Sequence, residues 1–360
     1  MVSRRVLLAG GAAAAGLGIW ALAPGPNYEA AVGALWRHMA PEARGEIAYL
    51  VHYATLAANS HNAQPWRFQP TPDGVAILPD LARALPVADA DNHHLFASLG
   101  CAATNMMLAA QAAGRPAEMR FVAGDTGHVE VALGRGDAVS DPLFDTILER
   151  QCTRSAYDGR AVPAEQMRLL EAAVRDEGCE LVLIDDKPRV EQVLELIVTA
   201  NTAQVSDPAF AAELKHWLRF NAGAAIASGD GLYSACSGNP TMPSWAGRLM
   251  FGFVFKPGSE NDRYAAQVRS SAGLAVIVSG RDDPEGWVRA GRAYQRFALE
   301  TTALGIRHAH LNQPVEVAAT RPELAALLDI DGRPDLVLRF GYAPPMPRSL
   351  RRPVAEVLQT

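Results

Sequence analysis

The stretch Asn59-Ser60-His61-Asn62-Ala63-Gln64-Pro65-Trp66-Arg67-Phe68 crowds hydroxyl and amide groups into one short segment. Upstream, Ile47, Leu50, Val51, Ala54 and Leu56 recur at helical spacing, so residues 42–58 read as a helix. Downstream, residues 66–69 and 75–79 read as strands around the turn Pro70-Thr71-Pro72-Asp73-Gly74. The segment is thus a loop between a helix and a hairpin. Pro65 fixes its exit, and Trp66 begins the strand and can anchor it in the core. Donors and acceptors side by side on such a loop suit the edge of a flat heterocycle. A polar turn held by a core Trp is the plain alternative.

Further on, a helix is expected from about Leu95 to Ala113, with Asp91 or Asn92 as cap and Gly114 past its end. Strands are expected at 117–123 and 128–133, and helices at 142–151, 164–177 and 188–204, with a strand from Cys179 to Ile184 between the last two. Residues 221–262 mix Gly, Pro, Ser, Trp and Phe without a steady period, which suits an irregular, lid-like insertion with short helical pieces. Then come a strand at Leu274–Val278, a helix from Pro284 to Gly305 and a strand at Leu336–Phe340. One echo stands out. Gly100 to Gly114 and Gly291 to Gly305 each run fifteen residues from Gly to Gly, offset by 191, small and apolar on one face. Chance and a duplicated α/β unit both remain open for that echo.

The chain has 360 residues, too many for one small domain. At 49% apolar and 20% charged it is globular, not disordered. A net charge of −6 argues against non-specific nucleic-acid binding. Of the 33 basic residues only Lys187, Lys215 and Lys256 are lysines, so a single Arg says little. Residues 1–24 read as a twin-arginine-type export signal or anchor. Ser3-Arg4-Arg5 leads into an uncharged run from Val6 to Ala23 that ends on Ala21-Leu22-Ala23. An exported protein is expected, in the periplasm or on the outer face of the membrane, with attachment through residues 6–23 if the run is kept. Cys101, Cys152, Cys179 and Cys236 form no C-x-x-C pair and read as buried thiols.

Two further motifs carry charge. Arg150-Gln151-Cys152-Thr153-Arg154 puts two guanidinium groups four residues apart with a hydroxyl between, a reasonable phosphate clamp. The tail Arg348-Ser349-Leu350-Arg351-Arg352-Pro353 concentrates positive charge in an acidic chain. Each has a bland reading as a solvated surface. Asp89-Ala90-Asp91-Asn92-His93-His94 holds metal-ligand types, but its place before a helix reads as a capping loop, and no metal is expected. His308 and His310 alternate like strand residues and could line a pocket. No G-x-S-x-G, P-loop or G-x-G-x-x-G pattern occurs, so hydrolase, NTPase and Rossmann readings lack support.

Taken together, the Ser60-x-Asn62-x-Gln64-Pro65-Trp66 loop, the Arg150-x-Cys152-Thr153-Arg154 run with Tyr157-Asp158 and Val162-Pro163, and the ending Gly341-Tyr342 to Arg351-Arg352-Pro353 resemble the FMN-binding nitroreductase family. The double length and leader are similar to its Acg-type branch. The resemblance covers roughly residues 42–358. It implies an α/β (α+β sandwich) fold of two related halves, 42–140 and 141–360, that form an intramolecular pseudo-dimer. It also implies FMN as cofactor. Ordinary members are about half this length and bind FMN between two subunits. Here the loop falls in the first half and the Arg run and tail in the second, as expected if one chain imitates the dimer and keeps one site.

Carried over by position, Arg150 and Arg154 are implied to serve the ribityl phosphate and the flavin's pyrimidine edge. Cys152 stands where the family has Ser, so Thr153 is expected to share its role. Ser60, Asn62 and Gln64 match the partner loop, and Arg351, with Arg348 and Arg352, the phosphate-binding tail. No counterpart of the family's Pro-x-Glu-Gly segment is found. The expectation is an exported FMN-dependent oxidoreductase that passes electrons to a small acceptor, with NADH or NADPH as candidate donor and no single side chain assigned to catalysis. The alternative is a flavin-binding or sequestering protein that does not turn over. A monomeric pseudo-dimer and a homodimer both stay open.

Overall fold

The computed structural model describes residues 26–40, 45–139 and 141–359. The export signal or anchor expected over residues 1–24 lies outside them, as does the left edge of the helix expected over 42–58. That helix runs from Glu46 to Thr55, after Gly45 at φ 84°.

Strands β1 (Trp66–Thr71), β2 (Gly74–Pro79), β3 (Ala117–Val122) and β4 (His128–Leu133) form one antiparallel sheet, ordered β1-β2-β4-β3. A helix, His93–Ala112, connects β2 to β3. Strand β5 (Glu180–Ile184) opens the second sheet. Two short strands, β6 (Leu218–Arg219) and β7 (Leu232–Tyr233), pair in a parallel ribbon. Strands β8 (Gly273–Val278), β9 (Arg307–His310) and β10 (Leu336–Gly341) complete the second sheet, ordered β5-β8-β10-β9 and again antiparallel. The helix Pro284–Ala303 connects β8 to β9. The two sheets therefore share one topology: an outer strand, a second strand, a long helix, the far edge strand, and a last strand that returns to the centre.

The two long helices meet at the glycines of the sequence echo. A Cβ on Gly100 would lie 2.0 Å from the Val288 carbonyl oxygen, and one on Gly291 would lie 1.9 Å from that of Ala97. Each glycine faces the residue three before the other, a two-fold symmetric contact that only bare backbone permits. Leu99, Ala102, Ala103, Ala290, Ala293 and Phe297 are fully buried around the crossing, in one core that joins both halves. Among the described residues, His93–Ala112 is the one helix long and apolar enough to cross a membrane, and it is buried in this core.

The insertion extends beyond the expected 221–262 to take in the helix expected over 188–204, and its expected short helical pieces are Ala222–Ser228, Ser244–Val254 and Pro257–Arg269. It fills the place of the β1–β2 turn, between β5 and β8, and is built mainly of the helices Lys187–Ser206, Pro208–Trp217, Ala222–Ser228, Ser244–Val254 and Pro257–Arg269. Asp186, Asp207 and Asn221 cap the first three by accepting backbone N–H bonds. The helix Ser244–Val254 hides its pattern because it faces two ways. Gly247 and Phe251 point to a cavity, while Trp245, Leu249 and Phe253 are exposed.

The tail couples the halves. After β10 the chain returns to β1, where Phe68 bridges Leu358 in parallel and the Gln359 N–H donates to the Phe68 carbonyl at 2.8 Å.

Candidate functional site

The loop after the Glu46–Thr55 helix closes as a short 3-10 turn, Ser60–Asn62. His61, Asn62 and Gln64 hold φ of 51°, 52° and 54°, the left-handed region that side chains disfavour. Hydrogen bonds hold this shape. Asn59 Oδ1 accepts from Gln64 N at 2.8 Å, and Asn62 Nδ2 donates to the carbonyls of Gly231 and Leu350, both at 3.1 Å. Gln64 is fully buried, with Nε2 donating to Gly229 O at 2.9 Å and Oε1 accepting from Arg352 N at 2.8 Å. The loop thus binds the insertion and the tail at once.

A cavity of about 360 Å³ opens beside it, lined by Ser60, His61 and Arg154 and roofed by Met250, Phe251 and Phe255 of the insertion. A smaller recess of about 70 Å³ is lined by Asn62, Arg150, Cys152, Arg154, Arg348 and Arg351. Ala58, Asn59, Arg154, Leu232 and His310 line both, so the two are contiguous. The structure brings together residues from the loop, the Arg run and the tail, three segments far apart in sequence. Gln64, Thr153 and Arg352 line neither space. Gln64 spends its amide on the tail and insertion, Thr153 Oγ1 donates to Gln151 Oε1 at 3.3 Å, and Arg352 faces Glu356 at 3.6 Å.

The recess holds four guanidinium groups and no carboxylate. Arg150 is buried, and its Nε and Nη1 have no partner. Among the described residues no acid pairs with Arg154. Arg351 is committed to its surroundings: it donates to Asn62 Oδ1 and Thr55 O, both at 2.8 Å, and to Ala57 O at 3.2 Å. Burial, and then the charge of Arg150, pushes its pKa down to about 9. Burial also lowers Arg348, whose guanidinium lies 5.4 Å over the Trp36 ring. An anion in the recess would relieve all of these costs. Cys152 adds a twist. Burial pushes its thiol up, but hydrogen bonds to His308 and His310 pull it down by more, well below the ordinary thiol range.

Sequence reasoning missed Trp36, His61 and Tyr294. Trp36 carries no motif, and it reaches the recess only because its Nε1 donates to Ser349 O at 3.0 Å in the returning tail. Tyr294 lies on the long second-half helix, with its OH 3.5 Å from Cys152 Sγ and 3.2 Å from His308 Nε2.

Relatives with names bear on this geometry. The Rv3131 protein of Mycobacterium tuberculosis, provisionally named an NAD(P)H nitroreductase, is 26% identical over 320 residues, 85% of this chain and 89% of its own length. The chain is similar to nitroreductases. The acg protein of the same organism, with the same provisional name, is 26% identical over 86% of this chain and 94% of its own length. No protein-family model matches. Among solved structures, the FMN-dependent nitroreductase NfnB from Mycobacterium smegmatis in complex with NADPH covers 60% of this chain and 96% of its own at 15% identity and a TM-score of 0.40. A Bacteroides fragilis nitroreductase with bound FMN covers 57% of this chain and 90% of its own, at 16% identity and a TM-score of 0.34. At those scores the weight rests on the residues above.

Proposed function

We propose that the protein is an FMN-dependent oxidoreductase of the nitroreductase type, with one flavin site per chain. The observation that carries this is the recess of four guanidinium groups lined by no carboxylate, open to a larger cavity. Arg150, Arg348 and Arg351 would hold the phosphate. Arg154, at the junction of the two spaces, and Ser60, on the wall of the larger one, would meet the ring. When bound, FMN supplies the two-electron chemistry. The chain's own part is to fix the ring, place positive charge at its edge and exclude water through the aromatic roof. The donor is proposed to be NADH or NADPH, and the acceptor a small molecule under the insertion.

The matching strand order of the two sheets and the symmetric glycine contact support a further proposal, that the halves are a duplicated unit acting as a pseudo-dimer. The Arg4-Arg5 leader and apolar run support export or membrane attachment. A second reading, a flavin-sequestering protein, is favoured by the roof itself, where Phe251 and Phe255 stack at 4.7 Å and 17°.

Titration of apoprotein with FMN tests the site. Replacing Arg150 and Arg154 together by Ala should weaken binding by at least about tenfold per lost charge-assisted contact. Unchanged affinity would refute the assignment. Anaerobic addition of NADH or NADPH then separates the two readings. Bleaching of the flavin band supports the reductase, and no bleaching with either donor supports sequestration.

A further inference from the structure

The loop Asp89–His94 does cap the first long helix: Asp89 Oδ1 accepts from His94 N and Oδ2 from Leu95 N, both at 2.8 Å. Capping leaves both imidazoles unexplained. His93 and His94 are 1% and 5% exposed, and the Nδ1 atom of each is buried without a hydrogen-bond partner. Their other nitrogens are held. His93 Nε2 lies 3.1 Å from Asp335 Oδ1, and His94 Nε2 lies 3.3 Å from Asn312 Nδ2. Asp89, His93 and His94 each place a ligand atom within 4.8 Å of the others. Glu316, from the segment Gln313–Glu316, lies beside the group and near His94 alone, with Oε1 3.9 Å from His94 Nδ1 and Oε2 accepting from Gln204 at 2.7 Å. His94 Nδ1 and Asp89 Oδ1 are 3.6 Å apart, too far for a hydrogen bond and close to the separation of two ligands on one small ion.

The charges agree. Arg333 pairs with Asp91 at 2.8 Å and Asp282 at 2.6 Å, and Arg321 faces Asp91 at 3.8 Å. Among the described residues, Asp89, Glu316 and Asp335 have no Arg or Lys at ion-pair distance; their basic neighbours are the two imidazoles. Three buried or half-buried carboxyl groups thus face two imidazoles and no guanidinium or ammonium group at ion-pair distance. An outer pocket of about 290 Å³, lined by Asp89, His93, His94 and Glu316, gives a way in, and His94 and Glu316 also line the main cavity.

We propose that Asp89, His93 and His94 bind one divalent transition-metal ion of the zinc class, in the wall between the outer pocket and the main cavity. Imidazole and carboxylate ligands suit that class, and the Asp335–His93 contact is the outer support that metal-bound imidazoles usually have. Through the His93–Asp335 contact, the ion would fasten the start of the first long helix to the other half. Asp89 would keep its capping bonds and ligate through remaining lone pairs.

The test uses full-length protein stripped with a chelator and titrated with Zn²⁺ by calorimetry, then with Co²⁺ followed at wavelengths beyond the flavin band. One saturable ion per chain is expected. His93→Gln and His94→Gln should each weaken it by at least about tenfold, with circular dichroism unchanged. Should those variants not fold, X-ray absorption on the wild-type Co²⁺ form decides, with two imidazole ligands expected. No saturable binding, binding untouched by both variants, or fewer than two imidazoles on the ion would overturn the site.

Discussion

His61, Asn62 and Gln64 hold left-handed backbone within four residues, and each would relax if nothing held it. Hydrogen bonds to the insertion and the tail hold it, so the strain marks the place where three segments are locked around the cavity. Two arginines there should behave differently. Arg351 carries the loop–tail junction, so Arg351→Gln should lower both FMN affinity and apoprotein melting temperature. Arg154 has no acidic partner among the described residues, so Arg154→Gln should weaken FMN while changing apoprotein stability by less than about 0.5 kcal/mol. Equal melting losses in both variants would contradict this division. His61 gives a pH test. Burial, then the charge of Arg154, lowers its pKa from 6.5 to about 4. Between those values the unfolded chain binds a proton that the folded chain does not, so stability is lost as pH falls from 6.5 toward 4. Denaturant titrations at pH 7 and pH 5 should show a loss of up to about 2 kcal/mol that His61→Gln largely removes.

At the scale of elements, the crossing of the helices His93–Ala112 and Pro284–Ala303 fixes how the halves sit. Gly100→Ala or Gly291→Ala would drive a methyl into a carbonyl, and the helices would have to part. Either change should cost about 1–3 kcal/mol in chemical denaturation, and a neutral result would show that the contact is slack. The Gly-to-Gly echo marked these two helices in the sequence, because small residues at one helical face leave a plain pattern, but it did not show that they cross at those glycines. The shared strand order was not legible, since antiparallel pairing between distant segments leaves no local trace. The insertion was read as holding short helical pieces, but their bounds were not legible, for a physical reason. Its helices divide their apolar residues between a cavity and an open surface, as Phe251 and Phe253 do, so no single buried face sets a period.

At the scale of the whole molecule, one chain gathers a loop from its first half and an Arg run and tail from its second into one cationic recess. Ser60, Asn62, Arg150, Cys152, Arg154, Arg348 and Arg351 were identifiable as residue types at telling spacings, and the structure places them along the contiguous cavity and recess. Gln64, Thr153 and Arg352 share those motifs but line neither space, and their hydrogen bonds go to neighbouring protein groups. His93 and His94 were read as capping-loop residues because a sequence does not show which ring nitrogens are left without partners. The central claim is a single flavin site built from both halves. It is tested most directly by denaturing purified protein and measuring released flavin against chain concentration. The expected result is FMN, one per chain, with saturation at that ratio when FMN is added back. A colourless chain that ignores added FMN, or one that binds two, would contradict it.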